Sequence, residues 1–142
     1  MSDQNKDLAR RFYAEVVSTG DLDRVAEFCT EDFVDHEEGP PGTPDGIEGV
    51  KAFVQMFRDG FPDLRATVED ALEEGDRVAA RVRFTGTHEG EFMGVPPSGN
   101  KVDIETIDIV RIVDGKASEH WGVTDNMALM QQIGAIPQEA PA

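Results

Sequence analysis

At Pro62 the chain changes its hydrophobic period, and that change limits the folds open to it more than any other feature. Before Pro62 apolar residues recur at helical spacing. Leu8, Phe12 and Val16 mark a helix over residues 7–18, and Val50, Phe53, Val54 and Phe57 mark another that begins at Ile47 and stops near Gly60. Between them Gly20 ends the first helix, and Asp21 suits the N-cap of a short one over residues 22–29. A short strand is expected within residues 30–37, then a loop over 39–46 that is too rich in Gly and Pro for regular structure and is placed to act as a lid. After Pro62 the pattern alternates. Residues 64–72, 77–86, 101–113 and 116–125 read as strands, with Glu74-Gly75-Asp76 and Asp114-Gly115 as tight turns. A last helix over residues 127–133 closes at Gly134. Helices first and hairpin-linked strands after them predict an α+β fold: a single domain over residues 1–142 with its core at about 7–136. Its curved antiparallel sheet is covered in part by the N-terminal helices, and the uncovered remainder forms a cavity.

Charge narrows the partners. Asp and Glu number 29 against 13 Lys and Arg, a net charge of −16, and that field repels a phosphate backbone. No nucleic acid is expected as a partner. No apolar run has the length of a membrane span, and the polar opening Met1-Ser2-Asp3-Gln4-Asn5-Lys6 lacks the apolar core of a secretory leader, so a cytoplasmic protein without membrane contact is expected. Cys29 is the lone cysteine; it lies in the run Val25-Ala26-Glu27-Phe28-Cys29 and reads as a buried thiol. G-x-S-x-G, P-loop and G-x-G-x-x-G motifs are absent, so neither a nucleophilic triad nor a nucleotide cofactor is expected.

The final strand holds the densest chemistry. On simple alternation Glu119, Trp121, Val123 and Asp125 share one face while Ser118, His120 and Thr124 share the other. An aromatic with two carboxylates is unusual for a plain core, so that first face is expected to line a pocket, with Asp125 raised in pKa beside Trp121. Asp125 also precedes an apolar helical run and fits equally as its N-cap. Earlier in the chain Asp35 and Glu37 face one way and His36 the other. His36 can serve as a base or as a donor to a carbonyl. Tyr13, Met56 and Met127 have side chains suited to a ligand wall, and His88 stands at a cavity mouth or on the surface. His36, His88 and His120 lack the spacing of metal ligands, and no metal site is expected. Arg81 and Arg83 read as a solvated face that pairs with Asp103 and Glu105.

Three segments taken together resemble the SnoaL-like polyketide cyclase family, within the nuclear-transport-factor-2-like superfamily. They are Phe33-Val34-Asp35-His36, then Gly86-Thr87-His88-Glu89-Gly90-Glu91-Phe92-Met93-Gly94-Val95-Pro96-Pro97-Ser98-Gly99, then Glu119-His120-Trp121-Gly122-Val123-Thr124-Asp125 with Met130-Gln131-Gln132-Ile133-Gly134. The resemblance implies a cone of curved sheet capped by helices, and a cofactor-free lyase or isomerase. In it an aspartate acts as acid/base in aldol closure of a polyketide methyl ester. It implies Asp125 as that aspartate, with His36 and His120 as hydrogen-bond donors to the enolate, and Trp121, Tyr13, Met56, His88 and Met127 around an apolar carbonyl or ester substrate. It also implies a homodimer through the outer face of the sheet. The same fold hosts epoxide hydrolases, which require an arginine beside the carboxylate, and non-catalytic small-molecule binders; both stand as alternatives.

Overall fold

Apolar positions on one side of each N-terminal helix, and of each strand after Pro62, generate the architecture. It is seen in a computed structural model that describes residues 2–37 and 39–137. Helix α1 (Ser2–Phe12) buries Ala9 and exposes Arg10 and Arg11. It runs into a π turn, Tyr13–Val17, where the N–H of Ser18 donates to the carbonyl of Tyr13 at 2.9 Å. Such widened turns often occur where a side chain is aimed at a site. A 3₁₀ turn (Leu22–Arg24) and one α-helical turn, α2 (Val25–Phe28), lead directly into strand β1 (Cys29–Asp35). Helix α3 (Gly46–Gly60) buries Val50, Val54 and Phe57. Strands β2 (Arg65–Glu74), β3 (Arg77–Thr87), β4 (Lys101–Val113) and β5 (Lys116–Thr124) follow, and helix α4 (Asn126–Gln132) closes the order.

The sheet order is β1-β5-β4-β3-β2. Successive strands from β2 to β5 pair antiparallel, as the hairpin turns predict. The fifth strand departs from the expected all-antiparallel sheet: β1 lies parallel to β5, with Val34 opposite Glu119 and Asp35 opposite His120. A helix-containing crossover separates the two strands, which is what parallel pairing requires. The predicted boundaries shift as well. The first helix starts at Ser2 rather than near residue 7, the second is shorter because Cys29 already belongs to β1, and β5 stops at Thr124.

The concave face of the sheet packs Ala66, Ala80, Val82, Phe84, Val102 and Ile104 against Val54, Phe57 and Phe61. A smaller cluster of Val16, Val25, Phe28, Cys29, Phe33 and Val50 seals the end near β1. Burial pushes the Cys29 thiol up to about 12, so it is an inert part of this packing. The convex face carries the pairs expected of Arg81 with Glu105 and Arg83 with Asp103. Between those charges lies an apolar row in register across four strands, Leu72–Ala79–Ile109–Trp121, flanked by Ile107 opposite Val123. Leu72 and Val123 in this patch are 68% and 75% exposed.

Candidate active site

Where the helices leave the concave face uncovered, a cavity of about 110 Å³ remains. Its walls are largely apolar, including Phe12, Phe53 and Phe84, and its polar lining comes from Tyr13, Asp35, Glu37, Thr106, Asp108, His120 and Thr124. The strands explain this set. On β4, Val102, Ile104, Thr106 and Asp108 are all buried, so an aspartate occupies a position in phase with core residues. On β5 the inward positions are His120, Gly122 and Thr124. The parallel pairing with β1 then brings Asp35 level with His120, and alternation carries Glu37 inward two residues later.

His120 is the hub. Its Nδ1 lies 2.8 Å from Asp35 Oδ1 and its Nε2 lies 2.8 Å from Asp108 Oδ1. A ring with a carboxylate on each nitrogen holds both protons, which makes it an imidazolium. Burial acts against that charge, yet the hydrogen bonds and charges of Asp108 and Asp35 outweigh it and push the pKa up to about 10. The Tyr13 hydroxyl donates to the second oxygen of Asp108 at 2.6 Å. Burial, and then the Asp108 charge, hold that phenol well above the usual tyrosine range, so it remains a donor. Thr106 adds a longer bond of 3.3 Å to Asp108 Oδ1. Glu37 accepts from the Thr124 hydroxyl at 3.0 Å, and burial raises its pKa. Gly122 makes room for all of this. A Cβ there would lie 2.5 Å from Asp108 Oδ1, 2.6 Å from Glu37 Oε1 and 2.9 Å from His120 Cε1.

Glu37, Asp108 and His120 each offer one donor atom within 4.8 Å of the others. The imidazole nitrogens of His120, however, already face two carboxylates as proton donors, an arrangement that satisfies the ring without an ion. A carboxylate base held by an imidazolium and a phenol, under an apolar roof, is instead equipped to take and return a proton.

Of the residues singled out from sequence, Tyr13 and His120 line this cavity. The others lie elsewhere. Trp121 and Asp125 were expected on the pocket side, but the even-numbered face of β5 is the concave one. Trp121 lies on the convex face, opposite Ile109, stacked on His36 at 4.8 Å and beneath the Arg77 guanidinium at 4.9 Å. His36 bonds Glu119 at 2.9 Å on that same face. Asp125 is exposed and caps α4, its Oδ1 accepting from the N–H of Ala128 at 3.1 Å. Met127 is 63% exposed. Met56 borders a second pocket with the loop containing Pro40, Pro41 and Pro44. His88 is neither at the cavity mouth nor on the surface. It is fully buried beside Phe61, its Nδ1 accepting from the N–H of Ser98 at 3.1 Å. Asp108 and Gly122 escaped sequence reading. The available signal was phase: Asp108 alternates with Val102 and Ile104, where a charge is out of place unless it is used.

A family model described as SnoaL-like polyketide cyclase matches residues 7–133. Aklanonic acid methyl ester cyclase DauD of Streptomyces sp. (strain C5) is 33% identical over 135 residues, covering 90% of this chain and 80% of the relative. Nogalonic acid methyl ester cyclase of Streptomyces nogalater is 32% identical over 122 residues, covering 82% of this chain and 88% of that protein. Among solved structures, IdmH of Streptomyces antibioticus superposes with a TM-score of 0.79 at 38% identity, over 92% of this chain and 99% of its own. TsrD of Streptomyces laurentii gives 0.80 at 29% identity, over 94% and 95%.

Proposed function

The chain belongs to the SnoaL-like polyketide cyclase family, and from that premise we propose that it is a cofactor-independent cyclase closing a ring within a neutral, apolar polyketide ester. The observation that carries this reading is the Asp108 carboxylate, held at the base of the cavity between Tyr13 and His120. In this scheme Asp108, not Asp125, is the acid/base. Its Oδ2, whose partner in the free protein is the neutral Tyr13 hydroxyl, receives the proton from the carbon beside the substrate carbonyl. Tyr13 then turns its hydrogen bond to the enolate oxygen, where charge develops. The enolate carbon attacks a second carbonyl within the same molecule, and a carbon–carbon bond forms. His120 spends both ring protons on Asp35 and Asp108, so it acts as a positioning residue that fixes the base. The apolar wall folds the substrate so that its two reacting carbons meet, and it excludes water from the enolate.

The hydrolase alternative requires an arginine beside the carboxylate. Among the described residues none lines the cavity, where the cation is His120. We further infer a homodimer in which a second copy covers the apolar row Leu72–Ala79–Ile109–Trp121.

Incubation with aklanonic acid methyl ester or nogalonic acid methyl ester tests the activity. Wild-type protein is expected to yield a cyclised product of unchanged mass. Asp108→Asn should lower kcat by about 10³-fold, within the range for a general base, and Asp125→Asn should leave it unchanged. Tight binding of the esters without conversion would mark the cavity as a binding site only. Incorporation of water oxygen would favour the hydrolase.

A further inference from the structure

Ring closure leaves an alkoxide that must be protonated, either by the base that has just taken a proton or by a second acid in the cavity. Three carboxylates line the cavity. Asp35 and Asp108 each face a ring nitrogen of His120 at 2.8 Å. Glu37 differs: its hydrogen bond among the described residues comes from a neutral hydroxyl, that of Thr124. Its other oxygen, Oε1, borders the space left by Gly122, as does Asp108 Oδ1. A carboxylate oxygen of Glu37, one of Asp108 and a ring nitrogen of His120 lie within 4.8 Å of one another, which one water can bridge.

We propose that Glu37 is a second catalytic residue, the acid that protonates the oxygen formed in ring closure. This rests on the cyclase reading above and extends it from one carboxylate to two. The balance is complete without any co-reactant. Asp108 takes the proton from carbon, and that electron pair forms the new carbon–carbon bond. The electron pair of the attacked carbonyl moves onto its oxygen, which takes the proton of the Glu37 carboxyl. Asp108 is left protonated and Glu37 ionised, and one proton transfer between them restores the starting state.

The surroundings of Glu37 support the assignment. Burial raises its proton affinity, and the charges of Asp108 and Asp35 add to that; the Thr124 hydrogen bond and the charge of His120 act in the other direction, and the net shift is upward. Two carboxylates in one site, one hydrogen-bonded to a cation and one inclined to keep its proton, form the usual pattern of a base and an acid sharing a reaction.

Two measurements test it. Glu37→Gln keeps an acceptor for Thr124 but has no acidic proton. It is expected to lower kcat for ring closure by about 10²-fold while the substrate's acidic carbon still exchanges its hydrogen for deuterium at close to the wild-type rate in D₂O. Asp108→Asn should lose exchange and closure together. Closure by Glu37→Gln at the wild-type rate, or equal loss of exchange and closure, would overturn the assignment. The second measurement needs no substrate: ¹³C-carboxyl NMR of the free protein, with Glu37→Gln to identify the resonance. Glu37 is expected to titrate above the ordinary glutamate value of 4.5. Titration at or below that value overturns the proposal even if the esters are turned over, whereas inert esters with a high Glu37 titration would overturn the cyclase reading and, with it, the role of Glu37 in ring closure.

Discussion

Strand β5 holds an imidazole–carboxylate arrangement against each of its faces, and the two behave differently. On the concave side His120 lies between Asp35 and Asp108, its side chain 15% exposed, and is pushed up to about 10. On the convex side His36 meets Glu119 at the similar distance of 2.9 Å, but its side chain is 40% exposed. There the hydrogen bond from His36 lowers the Glu119 pKa; burial acts against it, and the Arg111 charge adds to the lowering. The residue types and distances nearly match; the surroundings do not. Inside the cavity Asp108 is buried and held by Tyr13 as well as by the ring, so the hydrogen bonds fix one geometry. Outside, His36 and Arg111 each take one oxygen of Glu119, and a pair with so exposed a ring contributes little. A histidine beside an acid is therefore held firmly only where the fold buries the pair.

The sharpest way to probe this contrast uses neighbouring residues on opposite faces. Gly122→Ala would drive a methyl group into Asp108 and Glu37. It is expected to cost about 1–3 kcal/mol in denaturant unfolding and at least about 10²-fold in turnover. Val123→Ala, one residue on and 75% exposed, should stay within about 0.5 kcal/mol of wild type with full activity.

Next comes pH. Below about 6.5 both folded and unfolded chains carry the His120 proton, and the stabilisation from its two carboxylates is fully present. Between there and about 10 only the folded chain retains the proton, so stability falls as pH rises. His120→Gln should flatten that part of the profile. A slope that survives His120→Gln would show that the proton is held elsewhere.

Smaller effects belong to the outer residues. Asp125→Ala removes a helix cap and is expected to cost about 1 kcal/mol without changing kcat. His36→Ala should shift unfolding by no more than about 0.5 kcal/mol.

Much of the frame was legible because local patterns specify it. The hairpin turns at Gly75 and Gly115, the shared phase of Asp35 and Glu37 opposite His36, and the pairing of Arg81 and Arg83 with Glu105 and Asp103 all follow from alternation and turn chemistry. The position of Asp35 beside His120 depends on parallel pairing of β1 with β5, a contact between residues 85 apart that no local pattern encodes. The phase of β5 was misread for a physical reason. Trp121 suggests a core face, but in this sheet it lies on the convex side, where His36 and Arg77 cover its ring. Asp108 was hidden by Ile107 and Ile109, whose outward-facing apolar side chains blur the alternation that would have exposed it.

The count of charges around the cavity has a consequence for what it admits. Three carboxylates face a single imidazolium, and even with Glu37 protonated the lining carries a net negative charge. A substrate bearing a free carboxylate would enter against that field, in surroundings too apolar to screen it. The corresponding ester meets no such opposition. Under the cyclase proposal, an ester would therefore enter more readily than the corresponding free acid, and O-methylation of the carboxyl would serve admission as well as reactivity.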